Sequence, residues 1–213
     1  MTAVTVAVVA KECLPGRVKT RLTPALSPEA AARVAAASLA DTLATVRDLP
    51  AARRVLFFDG TVVPAGAEGF DVIHQSGGGL DERLGALFDA VDGPTLLVGM
   101  DTPQFSPEDV APVFDDPDRD AWFGPAEDGG FWSLFLRSPD GAHLRGVPMS
   151  RDDTGAVQLG RLRDAGLDVG VLDTLLDVDT VPDAHRVAAL VPDSGFAAVL
   201  ATETVTDGIG GAR

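Results

Sequence analysis

The stretch Thr95-Leu-Leu-Val-Gly-Met-Asp-Thr-Pro103 decides the fold of this chain. It is an apolar run with a β-branched residue, stopped by an acid and then a proline, which predicts a buried strand ending at Asp101. Open α/β sheets bind their ligands at the carboxyl ends of such strands, and Pro103 prevents the strand from continuing. Asp101 is therefore the candidate centre of a site. The alternative is that Asp101 only stabilises the following turn, as aspartate often does.

The rest of the sequence alternates strand and helix signals around this stretch. A β-branched run at 4–10 predicts a first strand, and Ser27 and Pro28 predict an N-cap and first turn for a helix reaching about Asp48. Further strands are predicted at 54–58, 70–74 and 169–172, with a strand pair at 122–136. Further helices are predicted from the segment 75–83 to about Val91, at 106–114, at 152–166, from Pro182 and from 194 onward. This order predicts a three-layer α/β/α fold with a mainly parallel, mixed sheet. We expect one domain over residues 1–205 and a flexible tail over 206–213.

The net charge and the distribution of apolar residues exclude some classes of binding partner. The 213 residues carry a net charge of −15, which argues against nucleic acid or an anionic membrane as the partner. No apolar run approaches the roughly 20 residues of a membrane span, and the first ten residues predict a strand rather than a signal peptide. We therefore expect a cytoplasmic protein. The single cysteine, Cys13, excludes an internal disulfide and a cysteine-based metal cluster.

A cationic loop follows the first predicted strand. Lysine occurs only at Lys11 and Lys19, and the loop also carries Arg17 and Arg21. Gly16 would let backbone amides approach a ligand closely, and the clustered cations suit a diphosphate or triphosphate. The alternative is a solvated basic turn.

An acidic turn separates the two strands predicted at 122–136. Glu127 and Asp128 stand at its tip, directly before Gly129 and Gly130. Two carboxylates beside paired glycines suit close approach to a sugar, a base or a metal. A plain hairpin turn uses the same residues.

Two further acids alternate late in the chain, in Leu176-Asp-Val-Asp-Thr180. Residues two apart in an extended segment point the same way, so Asp177 and Asp179 would face one cation together. The alternative is that Asp179 or Thr180 caps the next predicted helix.

Four segments in this order resemble a known family. They are Lys11 with Pro15-Gly-Arg-Val-Lys-Thr-Arg-Leu22, Gly99-Met-Asp-Thr-Pro103, Gly124-Pro-Ala-Glu-Asp-Gly-Gly130 and Asp177-Val-Asp-Thr180. Together they resemble the GT-A-fold, nucleotide-diphospho-sugar transferase-like proteins. Within these proteins they are similar to the glycosyltransferase-like family called domain of unknown function 2064. That family is related to the molybdenum-cofactor and phospholactate guanylyltransferases.

The resemblance implies roles for individual residues. Asp101 and Asp179 would bind Mg²⁺ or Mn²⁺, and Asp128, Gly129 and Gly130 would line the acceptor side. The nucleotide phosphates would be held by Gly16, Arg17, Lys19 and Arg21.

A weaker motif implies a nucleotide contact for Gln75 and Arg83. Asp81 stands where that motif usually has glycine, and Phe131 and Trp132 replace the tyrosines usual after the paired glycines.

Three functions fit these residues. In a nucleotidyltransferase, a phosphorylated small molecule attacks a nucleoside triphosphate and pyrophosphate leaves; Lys19 and Arg17 would bind the pyrophosphate, and Asp101 and Asp179 would hold the metal. In a glycosyltransferase, the same groups bind a nucleotide-sugar, and Asp128 acts as the base toward the acceptor. The third is a nucleotide-binding module without turnover.

Overall fold

The structure of the chain is a computed structural model that describes residues 3–23, 25–116 and 119–203. The predicted tail over 206–213 lies outside these residues. The described strands are β1 (Thr5–Lys11), β2 (Arg53–Asp59), β3 (Asp71–His74), β4 (Thr95–Gly99), β5 (Ala121–Pro125), β6 (Phe131–Leu136) and β7 (Val169–Val171). The described α-helices are α1 (Pro28–Asp48), α2 (Leu80–Ala90), α3 (Ala111–Asp115), α4 (Thr154–Asp164), α5 (Val181–Leu190) and α6 (Gly195–Glu203). Short 3₁₀ turns occupy Thr20–Leu22, Pro107–Val110 and Gly141–His143.

The strands form one mixed sheet in the order β3-β2-β1-β4-β6-β5-β7. Strand β6 runs antiparallel to β4 and β5, and the remaining described pairs are parallel. The predicted α/β fold with a mainly parallel sheet is confirmed. The antiparallel strand follows from the tight turn between β5 and β6, because strands joined by so short a loop must run in opposite directions.

Helices cover both faces of the sheet because side chains alternate along its strands. Val6 and Val8 of β1 pack in one core cluster with Leu39 of α1. Ala7, which points to the opposite face, packs with Phe88 of α2. A third cluster joins α1 to α5 and α6. The result is the predicted three-layer arrangement.

Helix α1 begins as its sequence predicts. The Ser27 hydroxyl oxygen accepts a hydrogen bond from the Ala30 amide at 3.1 Å, and Pro28 occupies the first turn. This cap fixes the point at which the chain leaves the cationic loop. Within the described residues, no helix combines the length and apolarity needed to cross a membrane.

Strand β4 ends at Gly99, so the prediction that the strand continues to Asp101 is wrong by two residues. The backbone leaves the sheet because its carbonyls find other partners. The Met100 carbonyl accepts from the Ser38 hydroxyl at 2.7 Å, and the Asp101 carbonyl accepts from the Val178 amide at 2.9 Å. These bonds attach the end of β4 to α1 and to the segment before α5.

Candidate active site

Asp101 lies at the carboxyl-terminal edge of the sheet, two residues beyond β4. Strands β1 and β4 are adjacent and parallel, with Val9 opposite Gly99. The loop after β1 and the acid after β4 must therefore meet at the same edge. The side chain of Asp101 is 42% exposed there.

Lys19 is the counter-ion of Asp101. Its side chain is 7% exposed, and its Nζ lies 2.8 Å from Asp101 Oδ1 and 3.6 Å from Asp179 Oδ1. Burial disfavours the ammonium, but the charges of Asp101, Asp179 and Asp177 outweigh it and raise the pKa of Lys19. The backbone of Lys19 is left-handed, with φ at 47°, and this directs the side chain inward. The sequence predicted Lys19 on a phosphate; in the structure its ammonium bridges two carboxylates.

The other loop residues lie at the same edge. Arg21 Nη1 donates to Asp179 Oδ2 at 2.8 Å, whereas the exposed Arg17 lines the cleft. Gly16 has φ at 73°, and a Cβ there would meet nothing within 4 Å. Gly16 is therefore required by its backbone conformation rather than by crowding. The amide of Arg17 donates to the Leu14 carbonyl at 3.0 Å, so the loop uses it internally.

Asp177 and Asp179 face the same site, as the alternation predicted. Both line a pocket with Asp101 and Asp128, while Val178 between them is buried in the core. Burial raises the pKa of Asp177 to about 7, and the charges of Asp101 and Asp128 add to the rise. Four carboxylates therefore lie within electrostatic reach of one another around Lys19.

The cap of α5 is Thr180, which frees Asp179 for the site. The Thr180 side chain accepts from the Asp183 amide, and the Asp183 carboxylate accepts from the Thr180 amide at 3.0 Å. This capping box settles the alternative that Asp179 is the N-cap. Asp179 instead holds Arg21 and Lys19.

The turn between β5 and β6 contributes Asp128. Its Oδ1 accepts from the Gly130 amide at 2.8 Å, and its side chain lines the cleft. Gly129 has φ at 87°, and a Cβ there would lie 1.9 Å from the Asp152 carbonyl oxygen. The Gly155 amide also donates to the Gly129 carbonyl at 2.7 Å. Close packing against the segment that leads into α4 therefore explains Gly129, whereas Gly130 lines the pocket beside Asp101.

Gln75 and Arg83 lie apart from the carboxylates. Gln75 Nε2 donates to the Ala10 carbonyl at 3.1 Å and to the Phe57 carbonyl at 2.9 Å, and its Oε1 accepts from Arg83 at 2.7 Å. These hydrogen bonds connect Gln75 to the carboxyl-terminal ends of β1 and β2. Gln75 also lines a neighbouring cavity of 480 Å³ with Arg17.

Asp81 replaces glycine in that motif for a structural reason. Its Oδ2 accepts from the Gly146 amide at 2.8 Å. The bond ties the start of α2 to the segment that precedes α4.

Asp101, Asp128 and Asp179 line one open cleft of 520 Å³ together with the cationic loop. This volume falls in the range of roughly 300–1,000 Å³ typical of small-molecule sites. Ser150 and Arg151 form another wall, which the sequence analysis missed. Their segment offers only one sequence signal, its position directly before a predicted helix. The φ of 59° at Ser150 has no signature in the sequence.

The donor set fits Mg²⁺ or Mn²⁺, which prefer carboxylate oxygens. Among the residues that the structure describes, no group of three or more histidine, cysteine or acidic side chains has metal-binding geometry. Asp101 and Asp179 are instead bridged by Lys19. Magnesium is usually held by one or two carboxylates together with substrate phosphates. The site therefore fits a metal that arrives with a nucleotide.

Comparison with known proteins gives a family and a fold. Residues 32–151 match the model of the family DUF2064, described as an uncharacterized protein conserved in bacteria. No curated protein matches the sequence.

Several solved structures share the fold. A protein from Desulfovibrio desulfuricans G20, provisionally named a nucleotide-diphospho-sugar transferase, is 24% identical with a TM-score of 0.84, over 96% of each chain. Rv0371c from Mycobacterium tuberculosis H37Rv, solved with manganese, is 22% identical with a TM-score of 0.55, over 87% of this chain and 97% of its own. CMP:2-keto-3-deoxy-manno-octonic acid synthetase, solved with CTP, is 13% identical with a TM-score of 0.58, over 90% and 99%. Identities this low establish the predicted GT-A-like fold alone.

Proposed function

The chain belongs to the DUF2064 family, and we propose that it is a metal-dependent, nucleotide-using transferase. Its reaction is nucleotidyl transfer: a phosphorylated small metabolite attacks the α-phosphate of a nucleoside triphosphate, and pyrophosphate leaves. The observation that carries this proposal is the carboxylate cluster around Lys19, beside the cationic loop in one cleft. Separated acids for a divalent ion and cations for phosphates are the components that phosphate chemistry needs.

The protein positions charge and supplies no nucleophile. Asp101 and Asp179 would hold Mg²⁺ or Mn²⁺, which neutralises charge on the reacting phosphates when bound. Lys19 and Arg17 line the cleft, and in this proposal they would bind the leaving pyrophosphate. Arg21 keeps Asp179 oriented through their 2.8 Å ion pair. The manganese and CTP complexes of proteins with the same fold support this assignment.

Glycosyl transfer is the second candidate. It is favoured by the Desulfovibrio protein, whose name is a nucleotide-diphospho-sugar transferase and which matches 96% of this chain. In that reaction the cleft would hold a nucleotide diphosphate as leaving group, and Asp128 would take the proton of the acceptor hydroxyl.

The products separate the two reactions. We would incubate the protein with each nucleoside triphosphate, Mg²⁺ and a panel of phosphorylated metabolites and measure pyrophosphate. A second series would use nucleotide-sugars and measure nucleoside diphosphate. Pyrophosphate release that depends on the acceptor supports nucleotidyl transfer. Nucleoside diphosphate from a sugar donor, with no pyrophosphate from any triphosphate, overturns it, and nucleotide binding with neither product indicates a non-catalytic module.

A further inference from the structure

A second cavity lies against the same carboxylates and is named the side pocket here. It shares Asp101, Asp128 and Asp179 with the main cleft and adds Asp177. Its volume is 260 Å³. This lies below the roughly 300–1,000 Å³ of pockets for drug-sized ligands, so the side pocket suits a molecule smaller than a nucleotide.

The side pocket has an apolar side. Its lining includes Leu80 and Leu84 of α2, Phe131 of β6, and Met149. Leu80, Phe131 and Met149 are only partly buried against the core, so each retains surface that a ligand can cover. A small carbon skeleton packed on these side chains would gain from burial of apolar area.

Arg151 supplies the cation of the side pocket and also lines the main cleft. Its side chain is 58% exposed and forms two 2.9 Å hydrogen bonds with the Asp153 carboxylate. An exposed ion pair contributes little, so this guanidinium is readily transferred to a ligand. Its planar fork matches a phosphate, which accepts two parallel N–H bonds.

The segment around Arg151 is held in place by hydrogen bonds to the Thr154 side chain. The Arg151 amide donates to the Thr154 hydroxyl oxygen at 3.1 Å, and that hydroxyl donates to the Pro148 carbonyl at 2.8 Å. The guanidinium therefore extends from a fixed point between the two cavities. Lys19 bridges Asp101 and Asp179 and is assigned to the leaving pyrophosphate in the proposed reaction, so it is not available to the acceptor.

We propose that the side pocket is the acceptor site and that it takes a small metabolite with an apolar carbon skeleton and a phosphate bound by Arg151. This inference rests on the proposed nucleotidyl transfer. An oxygen of the acceptor phosphate forms a bond to the α-phosphorus, the bond from the α-phosphorus to its bridging oxygen breaks, and pyrophosphate leaves with the electron pair. The dianionic acceptor phosphate has no proton to lose, so the step needs no base. Arg151 binds the attacking phosphate, and Arg17, which also lines the main cleft, binds the leaving pyrophosphate.

The test is calorimetric titration of n-propyl phosphate into protein saturated with an α,β-methylene nucleoside triphosphate and Mg²⁺. We expect n-propyl phosphate to bind, and to bind more tightly than inorganic phosphate or 1-propanol. Arg151→Gln should weaken this binding by about tenfold or more and should change nucleotide affinity by a smaller factor. Arg163→Gln, which removes an exposed arginine of α4 outside the side-pocket lining, is the matched control and should behave as wild type.

Equal affinity for n-propyl phosphate in wild type and Arg151→Gln overturns the inference, as does no binding by the wild-type nucleotide complex. If no nucleotide binds, the proposed function fails separately, and the titration is repeated on nucleotide-free protein with Arg17→Gln beside Arg151→Gln. Loss of n-propyl phosphate binding in Arg151→Gln alone then supports the side pocket. Any other pattern overturns it.

Discussion

Replacing Lys19 with methionine removes the buried counter-ion of the carboxylate cluster while keeping most of the side-chain volume. At the 2.8 Å separation from Asp101, the Coulomb attraction is about 6 kcal/mol for an effective dielectric constant of 20. Much of it is offset by desolvation of Lys19, and Asp101 is 42% exposed, so water screens the pair. We therefore expect Lys19→Met to lower the free energy of unfolding by about 2 kcal/mol in metal-free buffer, less than the roughly 3–5 kcal/mol for a fully buried pair.

Thermal unfolding in low salt measures this change. A loss of about 2 kcal/mol corresponds to a melting temperature lower by about 4–8 °C for a chain of this size. Mn²⁺ should stabilise Lys19→Met more than wild type, because the ion takes the place of the lost ammonium between the acids. The control is Lys11→Met, since Lys11 is exposed and is the other lysine of the sequence. Equal melting of wild type and Lys19→Met, or an equal loss in Lys11→Met, would refute the reasoning.

Three further changes test other parts of the site. Thr180→Ala should lower the free energy of unfolding in urea by about 1 kcal/mol and keep nucleotide affinity. Asp179→Asn should instead lose the metal dependence of nucleotide affinity, and an Asp179→Asn protein that is less stable but keeps this dependence would make Asp179 structural. Gly129→Ala should lower the free energy of unfolding by about 3 kcal/mol or more, because a Cβ would lie 1.9 Å from a carbonyl oxygen. Gly16→Ala should lower it by only about 1 kcal/mol, and similar losses of stability in the two variants would argue against the packing explanation. Burial raises the pKa of Cys13 to about 11, so at pH 8 about one thiol in a thousand is ionised and iodoacetamide should react slowly; rapid alkylation would contradict that environment.

Much of the fold was predictable because its signals are local. A β-branched run defines β1, and Ser27 with Pro28 defines the start of α1. Alternation placed Asp177 and Asp179 on one side, since the side-chain period of an extended segment is independent of tertiary context. The apolar run before Asp101 placed that carboxylate at the carboxyl-terminal edge of the sheet, although the strand stops earlier.

The rest of the site depends on contacts between distant segments. Lys19 turns toward Asp101 because its backbone is left-handed, a conformation that sequence rarely reveals in a residue other than glycine. Gly129 is explained by α4, which comes much later in the chain. Arg151 enters the site only because the segment before α4 packs against the turn after β5. None of these contacts leaves a periodic pattern in the sequence.

The most direct test of the proposed function is metal-dependent nucleotide binding at Asp101. Isothermal titration of each nucleoside triphosphate, with and without Mn²⁺, would be compared between wild type and Asp101→Asn, after thermal melts show that both are folded. Wild type should bind one triphosphate at least about tenfold more tightly with Mn²⁺, and Asp101→Asn should lose that gain because a neutral amide cannot replace the carboxylate. The same gain from Mn²⁺ in both proteins, or nucleotide affinity in wild type that does not change with Mn²⁺, would contradict a metal site built on Asp101.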